Sequence, residues 1–191
     1  MGVAPKVWYL AGLIEHESCI SLTHSRCWNS QSRLRTAREE GAGLGQITRA
    51  FRQDGSIRFD ALKELRDKHP KSLYELTWHN VYTRPDLQIR AVVLKMRDNY
   101  QYYAKYTDSE NALAFADAAY NGGIGGLDME RRACKISAKC DPTLWFDNVE
   151  LFCLKSKATL YGQRSACDIN RHHVYDVLNI RSLKYKQFFI N

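Results

Sequence analysis

Residues 7–18 read VWYLAGLIEHES, and this run decides the fold class because its apolar residues recur at helical spacing. The spacing predicts a helix from about Pro5 to Ser21, with an apolar stripe of Val7, Leu10, Ala11 and Ile14. Glu17 lies seven residues after Leu10 and continues the stripe, whereas Glu15 is expected to point away from it. We therefore expect one inward carboxylate at this helix end. Burial raises the pKa of a carboxyl group, which suits a general acid.

The rest of the chain predicts one mainly α domain over residues 1–191. Apolar periodicity indicates further helices at 59–68, from Pro85 to about Tyr106, and at 110–120, 127–135 and 170–191. In the last segment we expect Val174, Val177, Leu178 and Leu183 to point inward. The glycines of 122–126 predict a helix end followed by a flexible loop. No β-hairpin is expected.

The composition narrows the class of protein and its compartment. The formal net charge of +7 favours polyanionic partners in general. No apolar run approaches the roughly 20 residues of a membrane span, and no signal peptide precedes the first helix. We therefore expect synthesis in a cytoplasm. The six cysteines form no C-x-x-C pair, so no metal site is expected. We favour buried thiols for them, although disulfides would form if the protein works in an oxidising compartment.

Three segments carry the candidate chemistry, in the chain order Glu17-Ser18, Gly43-Leu44-Gly45-Gln46-Ile47 and Ala119-Tyr120-Asn121-Gly122-Gly123. We expect the glycines of the second segment to let the backbone approach a neighbour or a ligand closely. Together they resemble the lytic transglycosylase and goose-type lysozyme family. That family's pattern is a glutamate-serine helix end, then Gly-Leu-Met-Gln-Ile, then Ala-Tyr-Asn-x-Gly. The chain departs from the pattern at Gly45, where the family has methionine, and at His173, where it has tyrosine.

The resemblance implies a lysozyme-like fold and cleavage of the β-1,4 bond between N-acetylmuramic acid and N-acetylglucosamine in peptidoglycan. Glu17 matches the family's catalytic acid, which in the transglycosylases then acts as a base on the muramic-acid 6-hydroxyl and gives a 1,6-anhydro product. The substrate-binding residues that the motifs imply are Ser18, Gly43, Leu44, Gln46, Tyr120 and Asn121. No cofactor or metal is implied.

Structural interpretations of the same residues stay open. Ser18 could cap its helix, Tyr120 could be a core aromatic residue, and Asn121 could be a helix C-cap. Glu39 or Glu40 could position a water molecule, as acidic residues do in goose-type lysozymes, and would make the enzyme a hydrolase. A solvated acidic pair is the favoured interpretation of these two.

The resulting hypothesis is a monomeric phage endolysin, a muramidase that degrades the cell wall in host lysis. It would be made in the host cytoplasm and reach the periplasm through a membrane pore; a virion-associated enzyme also fits. The basic residues between Lys155 and Lys186 suggest contact with an anionic outer membrane. The alternatives are a chitinase-like hydrolase on the same scaffold and a basic helical module that binds nucleic acid or a protein partner. No nucleic-acid-binding motif is present, so nucleic acid is not the expected partner.

Overall fold

The computed structural model describes residues 6–19, 21–161 and 163–189. It is mainly helical with a small sheet, which confirms the predicted fold class at that level. The chain divides into two compact units. Of the described residues, the sheet unit comprises those in 7–95 and 181–189, and the helical unit comprises those in 96–180 together with Lys6. Among the described residues, no helix is both long and apolar enough to cross a membrane.

The sheet unit combines a four-stranded sheet with several helices and the first half of α4 (Pro85–Tyr103). Its other elements are α1 (Val7–Ser18), β1 (Arg33–Arg35), β2 (Glu39–Ala42), β3 (Ile47–Phe51), β4 (Ile57–Asp60), α2 (Ala61–Lys68), α3 (Pro70–Leu73) and α8 (Ser182–Lys186). A buried apolar core joins the sheet to α2 and α4, with Ile47, Leu62 and Leu87 among its members. The Asp60 carboxylate caps α2 by accepting a hydrogen bond from the Lys63 amide.

The four strands are antiparallel in the order β1-β2-β3-β4, with Glu40 opposite Arg49 and Ala50 opposite Phe59. The expectation of no β-hairpin was therefore wrong. The strands are only three to five residues long, and charged residues interrupt their alternation of apolar and polar positions. Such short, charged strands leave little periodicity for a sequence pattern to detect.

The helical unit contains the second half of α4 together with α5 (Ser109–Gly122), α6 (Ile124–Ile136), β5 (Thr159–Tyr161), β6 (Arg164–Ser165) and α7 (Ala166–Tyr175). Helix α5 ends at Gly122, and the cap residue Gly123, with φ of 80°, confirms the predicted stop. The expected glycine loop was wrong, because Gly125 and Gly126 already belong to α6.

Both terminal helical segments have bounds that differ from those expected. Helix α1 ends at Ser18, and Pro5 lies outside the described residues. The predicted 170–191 segment is α7, a π-helical stretch at Asp176–Arg181 and α8, with its last two residues outside the described range. Of the four expected inward residues, Val174 and Val177 are buried, Leu178 is half-buried and Leu183 is 55% exposed.

All six cysteines form disulfides, so the preference for thiols was wrong. The pairs are Cys19–Cys27, Cys134–Cys140 and Cys153–Cys167. Each pair joins cysteines that are consecutive in the sequence, and each closes a loop of 14 residues or fewer. Sequence spacing alone does not show which cysteines pair, or whether they pair at all, because pairing depends on the fold and on the redox compartment.

Candidate active site

The two carboxylates at the end of α1 lie in opposite environments from those expected. Glu15 is buried, whereas Glu17 is partly exposed. The expected apolar stripe is also only partly correct, because Val7 is 58% exposed while Tyr9 and Leu13 are buried. Helix α1 is therefore covered on a different side from the one that the periodicity indicated.

Helix α8 and the residue before it explain the burial of Glu15. Lys184 Nζ donates a hydrogen bond to Glu15 Oε1 at 2.6 Å, Arg181 Nη1 to the same oxygen at 3.2 Å, and Tyr185 OH to Oε2 at 2.5 Å. Helix α8 can approach because Gly12 has no side chain: a Cβ there would lie 2.6 Å from the Ser182 amide nitrogen. The buried negative charge is thereby compensated, as a buried carboxylate requires.

Glu17 has a different electrostatic neighbour, the half-buried Lys95 of α4. Burial lowers the pKa of Lys95 to about 8, against the attraction of Glu17 and Glu64, which favours the charged amine. Burial raises the pKa of Glu64, and Lys95 opposes that rise. Glu17 and Lys95 therefore lie within Coulombic range of each other.

Ser18, the last residue of α1, has its hydroxyl inside the protein. Its Oγ donates to the Ile14 carbonyl at 2.7 Å and accepts from the Trp28 amide at 3.3 Å. The residue is buried, and Cys19 follows it with its disulfide to Cys27. This geometry matches the structural interpretation of Ser18, which connects the helix end to the loop around Trp28; contact with a sugar stays a prediction.

The turn between β2 and β3 contains the second motif. Gly43 has φ of 70°, and a Cβ there would lie 2.3 Å from the Gln88 side-chain carbonyl, so this position requires glycine. Gln88 Oε1 accepts from the Leu44 amide at 2.9 Å, while its Nε2 donates to the carbonyls of Ser30 and Val81. The expectation that the glycines let the chain approach a neighbour is confirmed, and that neighbour is Gln88.

Two side chains of the turn also face the protein. Leu44 is buried, and Gln46 Nε2 donates to the Gly43 carbonyl at 2.8 Å and to Ser32 Oγ at 3.4 Å. Gln46 itself has φ of 42°. These contacts shape the turn, and the predicted roles of Leu44 and Gln46 in sugar binding are not decided by them.

The acidic pair before the turn is not solvated as expected. Glu40 is buried on β2, where Arg49 donates to Oε2 through Nε at 2.9 Å and Nη2 at 2.6 Å. Tyr82 OH donates to Oε1 at 2.8 Å, and Arg33 Nη2 lies 2.6 Å from the same oxygen. Burial alone would raise the pKa of Glu40, but these hydrogen bonds and the Arg49 charge lower it below its ordinary value. Glu39 is half-buried.

The third motif belongs to the helical unit. Tyr120 is buried, with its ring centroid 6.4 Å from that of His173, whose Nδ1 lies 2.7 Å from Asp117 Oδ2. Asn121 is exposed, and its Oδ1 accepts a hydrogen bond from Asn170 Nδ2 at 3.0 Å. Tyr120 thus has the environment of a core aromatic residue, while the amide of Asn121 is fixed at the protein surface.

The structure brings Glu17, Ser18, Gly43, Leu44 and Gln46 into the sheet unit, while Tyr120 and Asn121 are in the helical unit. Sequence reasoning did not assign roles to Gln88, Lys95 or Asn170. Gln88 was visible as part of a helix start, but its 44-residue separation from Leu44 hides the contact. No local sequence pattern marks Lys95 or Asn170 as a functional residue. No protein-family model, curated protein or solved structure matches this chain.

Proposed function

We propose that this protein is a peptidoglycan-degrading muramidase of the lytic transglycosylase type, with Glu17 as its catalytic acid and base. One observation carries the proposal: of the two carboxylates at the end of α1, Glu15 is buried among three partners and Glu17 is partly exposed near Lys95. A catalytic acid must be accessible to its substrate, and Glu17 meets that condition where Glu15 does not.

The chemistry requires only one carboxylate. Protonated Glu17 would give its proton to the glycosidic oxygen as the bond to the muramic-acid C1 breaks, and the acetamido group would carry the positive charge at that carbon. The resulting carboxylate would take the proton of the 6-hydroxyl, whose oxygen closes onto C1. Glu17 regains its proton, no water is consumed, and the product has a 1,6-anhydro ring. Ordinary two-carboxylate glycosidases need a second acid.

The environment of Glu40 supports this mechanism over hydrolysis assisted by that residue. Both oxygens of Glu40 are occupied by Arg33, Arg49 and Tyr82, and the side chain is buried. Such a carboxylate cannot hold a reactive water without breaking these contacts. Glu39 stays the residue through which a goose-type hydrolytic mechanism would act.

The remaining parts of the proposal concern substrate and location. The Gly43–Gln46 turn of the sheet unit stays a predicted sugar contact. Within the helical unit, the exposed amide of Asn121 is the group that we propose for binding an acetamido group. Three disulfides support work in an oxidising compartment such as the periplasm, consistent with a phage endolysin. The exposed Phe188 and Phe189 beside Lys186 support contact with an anionic outer membrane.

The decisive experiment compares Glu17→Gln with Glu64→Gln on purified peptidoglycan. Glu64 is a matched control, because it is also a glutamate attracted to Lys95 but is not assigned to catalysis. We expect Glu17→Gln to lower the rate of wall solubilisation at least about 100-fold, with Glu64→Gln close to the parent. Equal rates for the two variants would contradict the assignment of Glu17.

Mass spectrometry of the soluble products separates the remaining mechanisms. Anhydro-muropeptides, one water lighter than reducing products, support transglycosylation. Reducing muramic ends would instead indicate a hydrolase, and a Glu39→Gln variant would then test the water-positioning role. Turnover of chitin oligomers without wall cleavage would favour a chitinase-like enzyme. If the parent protein cleaves neither polymer, the enzymatic proposal fails and a binding module becomes the better explanation.

A further inference from the structure

A groove of about 530 Å³ lies within the helical unit, formed by the end of α4, one face of α6 and the chain after α6. Its volume matches the range of about 300–1,000 Å³ found for small-molecule sites. The lining residues combine aromatic and basic character: Tyr102, Tyr106, Asp128, Arg131, Arg132, Lys135, Pro142 and Thr143.

The walls of the groove are fixed to one another. Tyr102 OH donates to Asp128 Oδ2 at 2.6 Å and so ties α4 to α6. Arg131 Nε donates to the Pro142 carbonyl at 3.0 Å, and the Cys134–Cys140 disulfide closes the loop between α6 and Pro142. The groove is therefore pre-formed, which lowers the entropic cost of binding a ligand there.

Tyr106 supplies an aromatic surface that remains available. The Arg131 guanidinium carbon lies 4.9 Å from its ring centroid, and the Tyr102 ring packs edge-on at 6.1 Å. These contacts hold the ring in place, yet 49% of the residue is exposed. A tyrosine held in this way can pack against the C–H face of a sugar ring while its hydroxyl stays in water.

The charges of the groove do not cancel. Asp128 accepts hydrogen bonds from Tyr102 and Tyr103 and lies 3.8 Å from Arg131 Nη1, so these two charges face each other. Arg132 and Lys135 are exposed and have no hydrogen-bond or ion-pair partner among the described residues. Two uncompensated cations thus lie beside the exposed tyrosine, an arrangement that suits a carboxylate or a phosphate.

We propose that this groove binds a sugar that carries an acidic group, with the ring on Tyr106 and the acid between Arg132 and Lys135. A nucleic acid is a poorer fit, because two free cations offer far fewer phosphate contacts than the 6–10 typical of such binding. The proposal is independent of the catalytic role of Glu17, since it concerns binding and other residues. The acid can be a carboxylate, as in muramic acid, or a phosphate, as in phosphorylated surface glycans.

Titrations of the full-length ¹⁵N-labelled protein, followed by NMR, test the proposal. The probes are N-acetylmuramic acid, N-acetylglucosamine 6-phosphate and neutral N-acetylglucosamine. We expect both acidic sugars to shift amide signals at 102–106 and 128–143, and to bind more tightly than the neutral sugar. The double variant Arg132→Gln/Lys135→Gln should weaken the acidic sugars about tenfold and leave the neutral one unchanged. Whichever acidic sugar binds more tightly identifies the carboxylate or the phosphate source.

The matched control is Arg58→Gln/Lys71→Gln, which removes two exposed cations from the sheet unit. It should leave binding of all three sugars intact, and thermal unfolding should show that both double variants are folded. Tyr106→Ala should weaken all three sugars alike. If both double variants lost the same affinity for the acidic sugars, the loss would reflect net charge alone and the proposal would be overturned. Equal binding of neutral and acidic sugars, absence of binding, or tighter binding of a single-stranded oligonucleotide at these residues would overturn it too.

Discussion

The end of α1 and the β2–β3 turn are the two parts of the sheet unit in which sequence motifs indicated a site, and they are held by different forces. The end of α1 is held by charge, through the contacts of Glu15 with Arg181 and Lys184, and by a disulfide. The turn is held by neutral amide hydrogen bonds from Gln88. The helix end therefore depends on the ionised carboxylate of Glu15 and on the oxidised Cys19–Cys27 pair. The turn depends instead on the close fit of the Gln88 side chain against its backbone.

The largest expected change in the free energy of unfolding is at the end of α1, which charged contacts hold. Glu15→Gln should lower the free energy of unfolding by about 3 kcal/mol, because Arg181 and Lys184 lose a buried anion. Glu17→Gln, at a partly exposed site, should cost less than about 1 kcal/mol. Denaturant unfolding monitored by circular dichroism measures both. Similar losses for the two variants would mean that the environments of the two carboxylates do not differ as described.

The disulfide at the same helix end should contribute slightly less to the free energy of unfolding than the contacts of Glu15 do. Replacing Cys19 and Cys27 together by serine should cost about 2–3 kcal/mol, because the bond closes a short loop whose closure restricts the unfolded chain. The same denaturation experiment, repeated with reductant on the parent protein, provides the comparison. An unchanged midpoint for the double variant would show that the charged contacts alone fix the end of α1.

The turn should respond to shape. Gly43→Ala and Gly55→Ala both place a Cβ at positive φ, which costs about 1 kcal/mol. Only Gly43 faces Gln88, whereas nothing lies within 4 Å of a Cβ at Gly55. We therefore expect Gly43→Ala to cost about 1 kcal/mol more than Gly55→Ala, as in other overpacked sites. Equal midpoints of unfolding would refute the close fit of Gln88 against the turn.

The smallest effect concerns Lys95 and pH. Its folded-state pKa of about 8 lies below the ordinary 10.5, so between these values the unfolded chain binds more protons than the folded one. The free energy of unfolding should therefore rise with pH across that window, by about 1 kcal/mol after allowance for solvent screening. Buried tyrosines with raised pKa values, such as Tyr82, make the free energy of unfolding fall with pH. The contribution of Lys95 is therefore measured as the difference between the parent protein and Lys95→Met. Parallel pH profiles for the two proteins would contradict the expected rise.

The elements that the sequence predicted well are those specified by nearby residues. Helix α5 ends at the expected glycine, and Gly43 has the close contact that the glycine cluster indicated. The environments of Glu15 and Glu17 were exchanged because helical periodicity reports only one face of α1. The partners of Glu15 are Arg181 and two residues of α8, all 166 or more residues away, and no local pattern indicates them. The short strands were missed for the same reason, since their pairing depends on neighbours rather than on their own residues.

The candidate site was predictable as a set of segments but not as a set of contacts. The motifs indicated where the chain carries Glu17, the turn and Asn121, and all three segments have well-defined local structure. The sequence left open whether the side chain of Ser18 bonds to the protein's own backbone, and it did not indicate that the side chain of Gln46 does so. Polar side chains satisfy backbone groups or bind ligands with the same atoms, and only the fold decides between these uses.

The pairing of each cysteine with the next one in sequence has a consequence for biosynthesis. Of the fifteen ways to pair six cysteines, this one has the smallest total separation along the chain. Short loops close fastest, so we expect oxidation to give the native pairs directly, with little reshuffling by an isomerase. A chain made with reduced thiols could then acquire all three bonds soon after it enters an oxidising compartment. Trapping of free thiols during oxidation should show the three native bonds as the first ones formed, which would make arrival in that compartment the step that stabilises the protein.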